Sequence, residues 1–207
     1  MPSNLKLKDF EQVLIVEGYS DLVFYAELLE SLDKLKTVFI QHFNGKQDLI
    51  VKLEDFITPQ LLAEKRRIGI IVDADRNAAS TFESVRAALQ RLSNQNVPAV
   101  GTWTDGKPQV GIFVTPDGVS SGEIETLVWR AWTQEAASAD QRICVETFVQ
   151  CMEGHGFAAQ SPDKGLISAL LAIRYDEDPR LGPGARSKVF DLSRSEYQPL
   201  QSFLSTF

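Results

Sequence analysis

The chain is poor in the residues that build several common kinds of site. It has 2 cysteines and 2 histidines in 207 residues, and no histidine lies near a partner ligand, so a structural zinc site is not expected. Cys144 and Cys151 are seven residues apart in a segment of helical pattern. That spacing is too long for an easy disulfide, so we expect reduced, buried thiols.

Long hydrophobic runs and excess positive charge are also missing. No apolar run approaches the ~20 residues that cross a bilayer, and the first residues do not resemble a signal peptide. We therefore expect a cytoplasmic protein that does not contact membranes. The net charge of −7 argues against a general nucleic-acid coat protein, because phosphate binding draws on clustered Lys and Arg. It does not exclude a nuclease, because a bound divalent ion reverses the local sign of its carboxylates.

Strand and helix patterns alternate over residues 10–130. This alternation predicts an α/β fold, with a mostly parallel sheet covered by helices on both faces. We assign residues 8–135 to this domain and residues 136–207 to a helical C-terminal extension packed on it. The predicted strands are Gln12–Val16, Thr37–Phe43, Arg67–Val72 and Gln109–Val114, and the predicted helices before residue 120 cover about 20–32, 46–56 and 79–92.

Beyond Gly122 the pattern is helical over residues 123–132, 140–153 and 163–175. The last thirty residues are rich in proline and glycine, so we predict loops there and one short helix from about Tyr197. Trp129 and Trp132 could pack in the core or on a dimer surface, and we favour the core.

Acidic residues recur at or shortly after the carboxyl ends of predicted strands. Parallel strands bring their carboxyl ends to one edge of a sheet, where ligands bind in such folds. Carboxylates gathered there repel one another unless a cation lies among them, and hard oxygen ligands select Mg²⁺ or Mn²⁺. The candidate metal ligands are Glu17, Asp21, Asp73, Asp75, Glu123 and Glu125.

These carboxylates differ in how well a structural role explains them. Asp73 and Asp75 are two apart at an extended strand end, so both side chains should face one point, and metal binding is favoured over a solvated turn. Asp21 could serve the dipole of the following helix. Glu123 and Glu125 could do the same for their helix, so the sequence does not decide which of the two is a ligand.

Two lysines are placed to reach the same edge. Lys46 follows Asn44-Gly45 at a helix start, where backbone N–H groups favour anions, although the full P-loop pattern is absent. Lys164 begins a late helix and could reach the crevice. The run Lys65-Arg66-Arg67 precedes the third strand and is predicted to be a solvated surface at the opposite edge.

The motifs together resemble the Toprim domain shared by topoisomerases, bacterial primases, ribonuclease M5 and the overcoming-lysogenization-defect (OLD) nucleases. The resemblance rests on Glu17 after the first strand, Asn44-Gly45-Lys46 after the second and Asp73-Ala74-Asp75 after the third. It covers roughly residues 10–130, and the elements around Ser121 and Lys164 look most like the OLD nucleases and small stand-alone Toprim-like proteins.

The resemblance implies roles for these residues. Glu17 would be a general acid/base or a metal ligand, and Asp73 and Asp75 would hold Mg²⁺ or Mn²⁺. Lys164 and Lys46 would assist phosphodiester hydrolysis of DNA or RNA. No topoisomerase tyrosine domain, primase zinc module or fused P-loop ATPase is present, so the chain would be a minimal nuclease or one half of a system with a partner, such as an ATPase.

Two other functions compete with the nuclease. A haloacid-dehalogenase-like phosphatase also uses Asp-x-Asp after a strand, but on its first strand, and it would leave Glu17 without a role. A non-catalytic Toprim-like module that binds nucleic acid or a partner protein remains open. The oligomeric state also stays open, and a homodimer is compatible with the sequence.

Overall fold

A four-stranded parallel sheet and nine α-helices make up the described part of the protein in a computed structural model. The structure describes residues 6–93, 96–135, 138–159, 161–175 and 178–207. The α/β class, with helices on both faces of the sheet and a helical C-terminal extension, is confirmed. The elements are β1 (Gln12–Val16), α1 (Tyr19–Ser31), β2 (Val38–His42), α2 (Lys46–Phe56), α3 (Pro59–Glu64), β3 (Arg67–Asp73), α4 (Ala78–Ser93), β4 (Gln109–Thr115), α5 (Ile124–Thr133), α6 (Ala139–Gly154), α7 (Pro162–Arg174), α8 (Leu181–Arg186) and α9 (Gln198–Ser205).

The strand order β2-β1-β3-β4 fixes where a ligand can bind. All neighbouring strands are parallel, and Gln12 of β1 is paired with Val38 of β2 and Arg67 of β3. The chain leaves β1 towards one side to form β2 and then returns to the other side to form β3. Because ligand crevices of open α/β sheets lie at such a reversal, the carboxyl ends of β1 and β3 mark the expected site.

The sheet has a separate apolar core on each face. Alternate residues of β1 divide between them: Leu14 and Val16 face one core, and Val13 and Ile15 face the other. Helices α1, α5, α7, α8 and α9 cover the first face, and α2 and α4 cover the second. The helices of the C-terminal extension therefore share a core with α1. The predicted burial of Trp129 and Trp132 in the core is confirmed, since they are 8% and 2% exposed.

Most predicted elements are confirmed to within two residues, but two short helices were missed. Helix α3 begins at Pro59, in a segment for which no helix was predicted, and Thr58 caps it by accepting a hydrogen bond from the Leu61 N–H at 3.2 Å. Helix α8 contains Gly182, Pro183 and Gly184, a composition typical of loops. It forms because its glycines pack closely: a Cβ on Gly182 would lie 2.4 Å from the Ser20 carbonyl oxygen.

Two local predictions are wrong. Lys65 was expected on a solvated surface but is 1% exposed, because its ammonium group donates to the carbonyl oxygens of Leu7 at 2.9 Å and Phe10 at 2.7 Å. Cys144 and Cys151 were expected to be buried, and both are exposed on α6. In the described part of the chain, no helix is long and apolar enough to cross a membrane.

Candidate metal centre

Three carboxylates converge at the carboxyl edge of the sheet. Asp73 is the last residue of β3, Glu123 is the N-cap of α5, and Glu125 lies in the first turn of that helix. Each offers one carboxylate oxygen, and these oxygens all lie within 4.8 Å of one another. Asp73 and Glu125 are nearly buried, at 9% and 8% exposure. We refer to Asp73, Glu123 and Glu125 as the three-carboxylate cluster.

Asp73 is held in place by groups from the strand and helix beside it. Its Oδ1 accepts a hydrogen bond from the Thr115 hydroxyl at 2.6 Å and another from the Ile124 N–H at 2.9 Å. Thr115 ends β4, the neighbour of β3, and Ile124 begins α5. One oxygen of Asp73 is therefore fixed by two donors.

Glu17 extends the acidic site towards β1. It follows that strand, and its Oε1 accepts a hydrogen bond from the Asp73 N–H at 2.8 Å. Lys46 contacts both of these residues: its Nζ is 3.9 Å from Glu17 Oε1 and 2.5 Å from the Asp73 carbonyl oxygen. The ends of β1 and β3 and the start of α2 are thus joined through side chains.

Asp21 is placed beside these groups by a capping arrangement at the start of α1. The N-cap is Gly18, whose N–H donates to Asp21 Oδ2 at 2.8 Å. The glycine supplies no side chain, so the carboxylate three residues later satisfies the free N–H. Asp21 therefore serves the helix start and also adds negative charge next to Asp73.

Asp75 does not lie beside the Asp73 carboxylate, where the sequence predicts it to be. The prediction that the backbone stays extended through this residue is wrong, because β3 ends at Asp73 and Asp75 has a φ of 51°. Its backbone pairs with Gly122 in an isolated bridge, and its carboxylate forms an ion pair with Lys46 at 2.5 Å. The side chain of Asp75 is 55% exposed and lies outside the three-carboxylate cluster.

Lys164 brings positive charge to the cluster from the C-terminal extension. It lies in the first turn of α7, and its Nζ is 2.9 Å from Glu123 Oε2. The Ser161 hydroxyl, at the N-cap of the same helix, donates to that oxygen at 3.1 Å. Although partial burial opposes it, the carboxylates of Glu125 and Glu123 raise the pKa of Lys164 above its usual value. The lysine therefore stays protonated at neutral pH.

Burial and mutual repulsion perturb the carboxyl groups themselves. Burial first, and then the charge of Asp73, raises the pKa of Glu17 from 4.5 to about 8 and that of Asp21 from 3.8 to about 7. Burial is also the main cause that raises the pKa of Glu125 from 4.5 to about 8. The pKa of Asp73 is raised by burial too, against the Thr115 hydrogen bond and the charge of Lys164. These groups must either share protons or bind a cation.

The donor set fits a hard divalent cation. Glu125 Oε2 is buried and has no hydrogen-bond partner within the described residues. A buried oxygen left in that state costs about 1–3 kcal/mol, and a cation in the cluster would remove the cost. Carboxylate oxygens without nitrogen or sulfur donors favour Mg²⁺ or Mn²⁺. The donor set is therefore compatible with Mg²⁺ or Mn²⁺, and the identity of the ion stays a prediction.

A cleft of about 710 Å³ opens beside the cluster. It runs between the start of α4 and the starts of α5 and α7, and Glu123 forms part of its wall. Two cations, Lys46 and Arg76, and three carboxylates, Asp75, Glu123 and Asp163, line it, with hydroxyl groups around them. With three carboxylates against two cations, the lining would repel an anionic ligand unless a cation were bound in the neighbouring cluster. The hydroxyl-bearing lining residues are Ser80, Thr81, Ser121, Thr126 and Ser161.

The sequence reading missed three residues that shape the site. Thr115 fixes Asp73, and the only available signal was its position at the end of β4. Ser161 contacts Glu123, and the Ser161-Pro162 pair is a typical helix start that could have drawn attention to it. Tyr25 lies among the buried residues of α1. It is 2% exposed, and burial together with the charges of Asp73 and Asp21 raises its pKa well above its usual value.

The fold and the site define an α/β protein with an acidic cluster, a candidate metal site, at the carboxyl edge of a parallel sheet. The chain belongs to the family described as "Protein of unknown function (DUF3226)", whose model matches residues 11–207. No curated protein and no solved structure gives a significant match to the chain.

Proposed function

We propose that this protein is a Mg²⁺- or Mn²⁺-dependent phosphodiester hydrolase of Toprim type, a nuclease that acts on DNA or RNA. The observation that carries the proposal is the three-carboxylate cluster, in which oxygens of Asp73, Glu123 and Glu125 lie within 4.8 Å of one another. Such a cluster beside a polar cleft is an arrangement suited to phosphoryl chemistry. A cytoplasmic location remains a prediction from the sequence.

The three-carboxylate cluster would hold the ion, with Asp21, beside Asp73, as a further predicted ligand, whereas Asp75 is paired with Lys46 and lies outside the cluster. When bound, the ion would supply positive charge to the phosphate oxygens as the bond to the leaving oxygen breaks. Lys164, which stays protonated beside Glu123, adds a fixed positive charge at the same place. Lys46 and Arg76 line the cleft and would attract the neighbouring phosphates of the chain.

Glu17 is the residue we assign to proton transfer. Hydrolysis joins a water oxygen to phosphorus and breaks the bond to the leaving oxygen, so one proton must leave the water and one must reach the leaving group. Burial raises the pKa of Glu17 to about 8 in the metal-free protein, and a bound cation would lower it, so in the loaded site Glu17 would be ionised at neutral pH and able to accept the proton that leaves the water. The Asp73 N–H holds its Oε1 in a fixed position at 2.8 Å.

A second function is favoured by one observation. Lys46 and Lys164 are both engaged in ion pairs, with Asp75 and Glu123, so fewer free cations remain to attract a polyanion. This arrangement suits a non-catalytic module, or an effector subunit that acts only with a partner protein such as an ATPase. Such a protein would bind the metal ion without cleaving nucleic acid by itself.

A cleavage experiment separates the two functions. Purified protein is incubated with supercoiled plasmid, linear DNA and structured RNA in Mg²⁺, Mn²⁺ or EDTA. We expect metal-dependent cleavage that Asp73→Asn reduces by on the order of 100-fold or more, since it removes a central ligand. Asp55→Asn, an exposed aspartate on α2, is the matched control and should retain full activity.

Metal binding measured by calorimetry completes the design. Binding of Mg²⁺ or Mn²⁺ that Asp73→Asn abolishes, together with no cleavage of any substrate, would favour the non-catalytic module. Cleavage that persists in EDTA, or that survives Asp73→Asn in folded protein, would refute the proposed metal-dependent nuclease.

A further inference from the structure

Helix α6 carries apolar side chains on a face that the rest of the described chain leaves open. The helix packs against α7, and Val145, which is 7% exposed, marks the side that meets the protein. On another side Cys144 and Cys151 are exposed, and Phe148 is 56% exposed. Side chains of this kind are usually covered when they form a continuous stripe.

Cys144, Phe148 and Cys151 form one stripe among the exposed residues of α6, and Ile143, which is also 56% exposed, lies outside this stripe. At 3.6 residues per turn, Cys144, Phe148 and Cys151 share a face that lies about 100° around the helix from the face of Val145. By the same geometry, Asp140 lies at the start of the stripe and His155, the C-cap residue, lies at its end. The other charged side chains of α6 project from different sides of the helix. We define the outer face as Asp140, Cys144, Thr147, Phe148, Cys151 and His155.

We propose that the outer face of α6 binds the outer face of a second copy of this chain, with the two helices antiparallel about a twofold axis. A twofold interface uses the same patch on both subunits, so the patch must be complementary to its own reverse. The outer face is complementary to its own reverse if the twofold axis passes between Thr147 and Phe148, because Asp140 and His155 lie equally far from that point, as do Cys144 and Cys151. An antiparallel pair places Cys144 opposite the partner's Cys151 and Asp140 opposite the partner's His155.

Charge decides the direction of the pair. In an antiparallel arrangement each end brings a carboxylate next to an imidazole, which can accept and donate a hydrogen bond respectively. A parallel arrangement in register would place the two Asp140 carboxylates together, and like charges in contact are destabilising. Between the two ends the outer face carries only apolar, thiol and hydroxyl groups. The antiparallel pair therefore buries its apolar stripe without burying an unpaired charge.

The size of the contact sets its expected strength. The area buried between one pair of 16-residue helices is at the low end of the range for specific interfaces, so we expect a reversible dimer that dissociates on dilution. The net charge of −7 on each subunit opposes association. Added salt should therefore strengthen the dimer by screening that repulsion. This inference does not depend on the proposed nuclease activity.

Disulfide trapping tests the geometry. Mild oxidation of the wild-type protein should give a covalent dimer in which Cys144 is joined to the partner's Cys151. Cys144→Ser and Cys151→Ser should each abolish it, because the remaining identical thiols lie about 10 Å apart along the helix axis, beyond disulfide reach. A mixture of the two variants should restore a dimer with a single disulfide. Trapping in either variant alone, or no trapping in the mixture, would overturn the arrangement.

Sedimentation without oxidant tests the interface itself. Phe148→Glu should raise the dissociation constant by at least 10-fold, because it puts a charge at the centre of the contact. Ile173→Glu changes a residue that is 84% exposed on α7, outside the outer face, and should leave the constant unchanged. A wild-type protein that stays monomeric at all concentrations, or a dimer equally affected by both variants, would refute the proposal. Binding of an unrelated protein to this face while the chain stays monomeric would also overturn it.

Discussion

The ammonium group of Lys164 lies 2.9 Å from Oε2 of Glu123, joining the first turn of α7 to the N-cap of α5. This ion pair ties the C-terminal extension to the acidic site at the sheet edge. It also places a positive charge beside Glu123 and the neighbouring Glu125, which offsets part of their negative charge when no metal ion is bound. A divalent ion bound at the three-carboxylate cluster would therefore compete with the lysine for part of the same negative charge.

Replacing Lys164 should change stability and metal binding in opposite directions. Lys164→Met removes the cation, so the metal-free protein should lose about 1 kcal/mol of unfolding free energy, as expected for a partly exposed ion pair. Mg²⁺ should bind more tightly, because the carboxylates lose a competitor. Urea denaturation and calorimetry measure the two effects. Arg174→Met, at the far end of α7, should change neither, and weaker Mg²⁺ binding in Lys164→Met would contradict the assignment.

Replacing Glu125 should stabilise the metal-free protein. Glu125→Gln keeps the shape of a side chain whose Oε2 is buried without a partner, but removes its ability to ionise among like charges. At pH 8 in EDTA we expect a higher melting temperature, by a few degrees. The additional stabilisation by Mg²⁺ should be largely lost. Glu30→Gln, an exposed change on α1, is the control, and an unchanged response to Mg²⁺ in Glu125→Gln would exclude this residue as a ligand.

The stability of the metal-free protein should fall as the pH rises. The pKa values of Glu17 and Glu125 increase from 4.5 in a free chain to about 8 in the folded protein, so the folded state binds more protons between these values. Each such group lowers the free energy of unfolding by up to about 1.4 kcal/mol per pH unit in that interval. Urea denaturation in EDTA from pH 5 to pH 8 measures the slope, and Mg²⁺ should flatten it. A stability that rises with pH in EDTA would contradict the raised pKa values.

Gly111 should not tolerate a side chain. A Cβ there would lie 2.8 Å from Cδ2 of Trp103 and 2.9 Å from Cε2 of Phe203, whose rings are stacked with centroids 4.7 Å apart. We expect Gly111→Ala to cost about 1–3 kcal/mol of unfolding free energy, the usual cost of overpacking. Gly154→Ala is the matched control, because a Cβ there meets no atom within 4 Å. Equal stability of the two variants would show that β4 and α9 can move apart without cost.

The sheet was predictable because its strands are continuous apolar segments bounded by turns. The prediction of β1 as Gln12–Val16 is confirmed residue for residue, and the start of β3 at Arg67 is also confirmed. The short helices were harder to predict. Helix α8 forms because Gly182 packs against α1, a tertiary contact that a local pattern of glycine and proline does not reveal.

The acidic residues of the site were visible in the sequence, but their grouping was not. The sequence placed Asp73 and Asp75 together by assuming an extended backbone, and the left-handed φ of Asp75 directs its carboxylate to Lys46 instead. Glu123 and Glu125 could not be separated by pattern, and the structure places both in the three-carboxylate cluster. Burial of Lys65 was missed because its two carbonyl acceptors lie more than fifty residues away in the chain.

The two hydrogen bonds to Oδ1 of Asp73 have a kinetic consequence. They hold this carboxylate in position without an ion, and they leave Oδ2 as the oxygen free to bind one. If Mg²⁺ binds at the three-carboxylate cluster, as we propose, it would meet the Asp73 carboxylate already oriented. The rate of metal uptake should then follow the slow loss of water from Mg²⁺, with Mn²⁺ entering faster, and should not depend on a rearrangement of the sheet edge.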